Sequence, residues 1–259
     1  MRRLVVDLPL SRAALWSGRL AMFALALVLL GVALARTGRI ELPAAVVVLG
    51  AGLAIAIAAA LLAVAAFAVI WGDGRPGFGQ ALGGMLVAGA IVALPAWMGA
   101  EAVRLPRLAD VSTDLVDPPA FSRSRKALEA RGGALPPEPA REARDAQKGA
   151  YPGLAPLTLE LSAQDAYALA LKAAQARGWS VIESAAPGGR SGVGRIDAVD
   201  HTLVMRMPLD VTVRIRPLAA GARVDVRSRS RSAAHDLGAN AKRISTFLSA
   251  LQELADNRD

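Results

Sequence analysis

The residues that could do chemistry in this 259-residue chain gather late in it, where arginine alternates with apolar side chains. Val211, Val213 and Ile215 alternate with Thr212, Arg214 and Arg216; further on, Val224 and Val226 alternate with Arg223, Asp225, Arg227, Arg229 and Arg231. A period of two is strand spacing, so pairing these runs sets one apolar face against one arginine-rich face. Guanidinium forks suit phosphate and carboxylate, which makes Arg214, Arg216, Arg227, Arg229 and Arg231 the candidate anion- or partner-binding residues. The plainer account of the same pattern is a solvated outer face held by Arg–Asp pairs.

Two polar clusters accompany the arginines. Asp110, Ser112, Thr113 and Asp114 form a knot of short side chains, the type that caps backbone groups and starts turns. Read as chemistry, the knot is a carboxylate pair for acid–base work or for a divalent cation, although a cation loop needs more oxygen ligands. Asp236 and Asn240 open the last helical run, with Arg243 one turn on. Free N–H groups there, beside the arginine strand, would make an anion pocket.

Other chemistries have little support. The chain has no cysteine, which removes disulfides, thiolate metal sites and cysteine nucleophiles. Gly72, Gly74 and Gly77 match G-x-G-x-x-G by letter, but Pro76 interrupts the motif and no strand precedes it, so a dinucleotide site is not expected. His201 and His235 each neighbour an aspartate, without the spacing of a zinc site or a demand for a Ser-His-Asp arrangement. No catalytic residue, metal or cofactor is assigned. The net charge of +8 comes from 30 basic residues of which only Lys126, Lys148, Lys172 and Lys242 are lysine. That bias reads as overall arginine-rich composition, and without an aromatic stacking platform no nucleic-acid partner is expected.

The elements that must position these residues form an α+β unit. A short strand at 157–161 leads into a helix capped by Ser162 and ending at Gly178. Strands follow at 179–184, 195–199, 201–207, 211–216 and 223–229, then a closing helix from about 236 to 255 carrying Ile244, Phe247 and Leu251. An antiparallel sheet with both helices on one face is the natural packing. Residues 104–150, rich in proline, read as an extended arm and linker with a short helix near 122–130.

Residues 1–103 are of a different kind. Apolar runs at about 13–35, 42–70 and 78–100 reach the roughly 20 residues that span a bilayer, with Trp16, Trp71 and Trp97 at their ends. Arg19 lies close enough to a boundary to snorkel. Gly79 and Gly83 form a small-xxx-small pair for helix approach. No Asp, Glu, Lys or His lies deep in a run, so this half reads as an anchor rather than a transporter. Arg2, Arg3, Arg12, Arg19 and Arg75 against Arg36, Arg39, Arg104 and Arg107 favour an inside amino end. Three spans then place the carboxyl unit outside. Cleavage after Ala33-Leu34-Ala35, a small-residue signature, would leave that placement unchanged.

Several motifs in one order resemble a known family. They are Asp110-Val-Ser-Thr-Asp114 with Asp117-Pro-Pro-Ala-Phe121, Tyr151-Pro152, Gly178-Trp179, Arg195-Ile-Asp-Ala198, Val224 to Arg231, and Asp236-Leu-Gly-Ala-Asn240 through Arg243-Ile244. Together they resemble the uncharacterised bacterial family DUF1499, whose similar members carry amino-terminal membrane helices. The resemblance implies polar motif positions at Asp110, Ser112, Thr113, Asp114, Asp225, Asp236, Asn240 and Arg243, and implies no activity.

The sequence therefore predicts a multi-pass protein of a bacterial inner membrane whose periplasmic α+β domain binds an anionic ligand or a partner. The lipid bilayer is its first partner; anionic lipid, a cell-wall polymer or an envelope protein are the candidates beyond it. The alternative is an envelope hydrolase or transferase using Asp110, Asp114, His235 and Asp236, which requires those side chains in one cleft.

Overall fold

A computed structural model describes residues 9–189, 192–232 and 234–258. The chain divides into two compact units, Met1–Ala100 and Glu101–Asp259. The first holds α1 (Arg12–Arg36), α2 (Leu42–Asp73) and most of α3 (Phe78–Arg104). At 25, 32 and 27 residues they measure roughly 38, 48 and 40 Å, against a hydrocarbon core of roughly 30 Å. All three are long and apolar enough to cross a membrane. Ser11 caps α1 through its hydroxyl, and Gly74 ends α2 in the left-handed conformation.

Alanine carries the contacts inside this unit: Ala14, Ala21, Ala24, Ala56, Ala59, Ala81 and Ala88 are buried, while Phe23, Leu30, Val47, Leu61 and Leu86 face outward. Small side chains let the helices approach, and the large apolar ones are left on the outside. Close approaches fall on Gly31, Gly52 and Gly84, and at Gly84 an added Cβ would sit 2.9 Å from the Gly18 nitrogen; Gly79 and Gly83, the expected pair, have open space around them. Gly84 shares a helix face with Ala81 and Ala88, whereas Gly83 is turned about 100° away. Arg19 lies over the Trp16 ring. Arg2 and Arg3, used above for orientation, lie outside the described residues.

The second unit is α+β. In chain order it contains β1 (Asp110–Ser112), α4 (Arg125–Ala130), α5 (Arg141–Ala150), β2 (Leu157–Leu159), α6 (Ala163–Ala176), β3 (Ser180–Ala185), β4 (Gly194–His201), β5 (Pro208–Leu218), β6 (Gly221–Ser230) and α7 (Ala239–Asp256). Every pairing is antiparallel, in the order β1-β6-β5-β4-β3, with β2 also on β6. Both helices predicted for one face lie there. Val211, Val213, Ile215, Val224 and Val226 are buried with Ala166, Ala170 and Ala173 of α6 and with Ile244, Phe247 and Leu251 of α7. Trp179 stacks on Phe247 with ring centroids 4.8 Å apart. Alanine on α6 lets that helix sit close to the sheet.

Three local expectations differ. Residues 201–207 are not a strand. β4 runs through His201, and the chain reverses at Thr202 to Met207, whose N–H and carbonyl groups meet at 2.9 Å. A strand at 195–199 and another at 201–207 would leave one residue for the reversal, too few for any antiparallel connection. Residues 104–150 are not a separate arm: β1 lies in the sheet, and Gln147 of α5 completes its outer edge, exchanging bonds of 3.1 and 2.6 Å with the Ser112 N–H and carbonyl. α7 starts at Ala239 rather than near 236, because Leu237 and Gly238 take positive φ values of 53° and 76° before it. Asp236 still caps it, accepting from the Gly238 and Asn240 amides at 3.0 and 2.7 Å.

Candidate functional site

The face of the sheet away from α6 and α7 carries the charge. Register places Asp197, Thr212, Arg227 and Ser112 in one row across β4, β5, β6 and β1, with Asp210 and Arg229 in the next row and Arg214 and Asp225 on the other side. The centre of this face is not solvated. Residues 113–138 run across it as a strap, and Arg227, Asp197, Thr212 and Asp225 are at most 1% exposed.

Arg227 holds the strap at its centre. Its Nε and Nη2 donate to the two oxygens of Asp110 at 3.0 and 2.8 Å, a bidentate fork. The remaining donors reach the carbonyls of Pro119 and Pro137 and the Glu138 carboxylate. Burial lowers the guanidinium pKa, but Asp110 and Glu138 outweigh it and raise it above the ordinary value. The Phe121 ring lies against this guanidinium and that of Arg131, with centroid distances of 4.8 and 5.0 Å. Arg131 in turn donates to Asp197 at 2.7 Å and to the Ser122 carbonyl at 2.9 Å, and lies 3.4 Å from Asp210. Asp210 also takes a fork from Arg231, and Arg229 reaches Asp110 and the Pro137 carbonyl. Burial pushes the Asp197 pKa up in spite of the Ser122 amide and Arg131.

At one corner three guanidinium groups meet on a single atom. Arg214, Arg216 and Arg223 approach Asp114 Oδ2 at 3.3, 3.1 and 2.8 Å. They also engage the fully buried Asp225. Arg214 reaches Asp117 at 2.8 Å and Arg216 at 3.5 Å. The other oxygen of Asp114 accepts from the Val116 and Asp117 amides, which makes the turn expected of the polar knot. Burial alone would raise the Asp114 pKa; these amides, Arg223 and Arg216 hold it below the usual carboxylate range. Of the three carboxylates at this corner, Asp117 is the one in solvent, at 67% exposed.

The predicted residues thus divide by face. Asp110, Asp114, Asp225 and all five candidate arginines share the charged side. Ser112 turns its hydroxyl to the Asp114 backbone, and Thr113 accepts from the Val226 amide at 2.9 Å. Asn240 lies on the helix side, bonded to Ser228, Ser230 and the Ala109 carbonyl; Arg243 pairs with Asp200 and Asn240. The expected pocket of α7 amides and arginine forks therefore does not form. Ser228 and Ser230 point at α7 while Arg227, Arg229 and Arg231 point away, and Asp236 already occupies the first amides of the helix. Asp110, Asp114 and Asp236 serve three different partner sets, and His235 bonds to the Ala102 carbonyl and the Leu237 amide. No hydrogen bond joins any two of these four among the described residues: Asp110 and Asp114 bond on the charged side of the sheet, His235 and Asp236 at the start of α7.

Arg131, Arg223, Asp117, Asp197, Asp210, Glu138 and Phe121 complete the face without having been singled out as site residues. Asp197 and Asp210 had a visible signal, since each alternates with apolar neighbours in step with the arginines. Arg131 and Phe121 had none, as only the strap's path brings them here. Arg131, Arg214, Arg216, Arg223, Arg227, Arg229 and Arg231 stand against Asp110, Asp114, Asp117, Asp197, Asp210, Asp225 and Glu138, seven against seven.

No curated protein matches the sequence. A family profile does, from Asp110 at the start of β1 to Leu251 in α7, so its reach takes in the strap, the charged face and the helix that closes the apolar core; on that match the chain belongs to DUF1499, described as a protein of unknown function.

Proposed function

We propose that this is a non-catalytic binding protein of the bacterial envelope. Its three helices cross the inner membrane, and its α+β unit stands in the periplasm and takes an anionic ligand at the corner of Arg214, Arg216 and Arg223. The observation that carries this reading is the exposed Asp117 carboxylate on Arg214 and Arg216. A phosphate or carboxylate from outside can replace it without uncovering a buried charge. Arg227, central to the sequence-level expectation, is fully engaged under the strap and is assigned a structural role.

The test is calorimetric titration of the detergent-solubilised full chain with inorganic phosphate and with citrate. Arg216→Ala should weaken binding about tenfold, equivalent to about 1.4 kcal/mol. Asp117→Asn should tighten it by removing the internal competitor, and added salt should weaken it. Binding that is absent, or indifferent to Arg216→Ala, would remove the reading. Reporter fusions after Asp259 test the compartment: alkaline phosphatase activity supports a periplasmic unit, and fluorescence from a cytosol-maturing protein alone reverses it.

A further inference from the structure

We infer that the turn between β4 and β5 rests on the bilayer surface, with Leu203 and Val204 in its interface and Arg206, Arg104 and Arg107 among anionic headgroups. This rests on α1, α2 and α3 crossing a bilayer. The turn lies at the end of the sheet where the chain enters the second unit. β6 finishes there at Ser230, which pairs with Leu209 and donates to the Ala109 carbonyl at 2.8 Å; the Asp236 amide donates to the Leu108 carbonyl at 3.0 Å. Leu108 lies eight residue steps beyond Ala100, at most about 29 Å of chain. The tether from the third helix to this end of the sheet is therefore short.

Single exposed leucines are ordinary on a protein surface. This turn differs in three ways. Of the six large apolar side chains described as exposed after residue 100 (Val103, Val116, Leu135, Leu203, Val204 and Leu218), three belong to this end, Val103 at 89% and Leu203 at 84% among them. The tip is also closed by its own hydrogen bonds. The Thr202 amide donates to the Met207 carbonyl, the Arg206 amide to the Thr202 carbonyl, and the Met207 amide to the Thr202 hydroxyl at 2.9 Å. Arg206 sits at φ 50°, a conformation a non-glycine residue adopts only where its surroundings impose it. Lastly, the charge exposed here is basic. Asp200 is taken by Arg243, Asp210 by Arg231 and Asp236 by the start of α7; Arg104, Arg107 and Arg206 are exposed, and Glu101, 3.8 Å from Arg104, is the more buried partner of that pair. Apolar residues flanked by basic ones match a bilayer interface with anionic lipid.

The chain lacks cysteine, so Leu203→Cys, Ala219→Cys in the turn at the opposite end of β5, and Ile57→Cys in α2 each give one labelling site. Each full-length variant is labelled with an environment-sensitive fluorophore. It is then reconstituted in vesicles of phosphatidylcholine with phosphatidylglycerol, with and without brominated lipid. The label at 203 should emit blue-shifted and lose intensity to the brominated lipid, while that at 219 stays as in water. Adding Arg206→Glu, or omitting phosphatidylglycerol, should reduce the blue shift at 203. A water-like label at 203 beside a lipid-quenched label at 57 overturns the proposal alone. A water-like label at 57 overturns the spanning helices and the proposal with them.

Discussion

On one side of β5 and β6, Val211, Val213, Val224 and Val226 lie under α6 and α7. One residue along each strand, Thr212, Asp225 and Arg227 lie just as deep under the 113–138 strap. At the centre of the sheet burial does not distinguish these two faces; the way each is closed does. The apolar side gains about 1.5–3 kcal/mol for each large side chain removed from water, with little demand on direction. The charged side costs several kcal/mol for each ion removed from water and recovers it only where a partner stands at hydrogen-bond distance. The strap's register is therefore fixed by a few directed pairs, Arg131 with Asp197 and Asp210, Asp114 and Asp117 with the corner arginines and Glu138 with Arg227, and the helices' position by filling volume. A mispacked leucine leaves a cavity, whereas a misregistered strap leaves an unpaired buried ion.

That difference is sharpest in what can be repaired. Phe247→Ala should cost about 3–5 kcal/mol from lost transfer energy and a cavity. Arg227→Ala should cost a similar 3–5 kcal/mol, because Asp110 stays buried without its fork. The repairs diverge: Arg227→Met combined with Asp110→Leu should recover most of the loss, since two apolar side chains need no partner. Thermal unfolding of the solubilised full chain measures all three. Arg227→Ala with no effect beyond that of a surface substitution would show that the charged layer is not sealed.

Acid should separate the faces without mutation. The Asp114 pKa is depressed in the folded state, so its stabilisation is present above the unfolded value of about 3.9 and is lost as pH falls through the folded value. The Asp197 pKa is raised, so this carboxyl takes up its proton first on acidification, and its own contribution is greater at low pH than at neutral pH. Amide exchange around 113–121 should therefore accelerate at a pH where 244–251 in α7 is still protected. Simultaneous exposure of both segments would mean that strap and helix core open as one unit.

The two faces also differ in how legible they were. The alternation at 211–216 and 223–231 exposed the apolar face, its helices and the charged side of the strands, because a period of two needs only neighbours. What covers the charge was hidden. The Asp110–Arg227 fork joins residues 117 apart, β1 is too short to show a period, and a proline-rich stretch reads as a linker whether or not it packs. α5 escaped for a related reason, since REARDAQKGA packs only the small Ala143 and Ala146 against the core and joins the edge of β1 through Gln147. The anion-pocket expectation failed on parity: adjacent residues 227 and 228 face opposite sides, so the arginines and the start of α7 are separated by the sheet.

The smallest expected effect tests where structure ends and binding begins. Asp117 is 67% exposed and contacts Arg214 and Arg216 at 2.8 and 3.5 Å, the setting in which an ion pair contributes about 0–1 kcal/mol. Asp117→Asn should therefore leave the unfolding temperature almost unchanged. Its two arginines keep Asp114 and the buried Asp225, so no ion is stranded. If the corner is a binding surface, the same substitution should nevertheless tighten phosphate or citrate binding and steepen its salt dependence, because the guanidinium groups then present a larger net charge to the ligand. A change in affinity without a change in stability would mark the corner as the point where the charged face passes from internal pairing to recognition. A loss of stability on the scale of Arg227→Ala would instead extend the sealed layer out to Asp117, and the corner would be structural throughout.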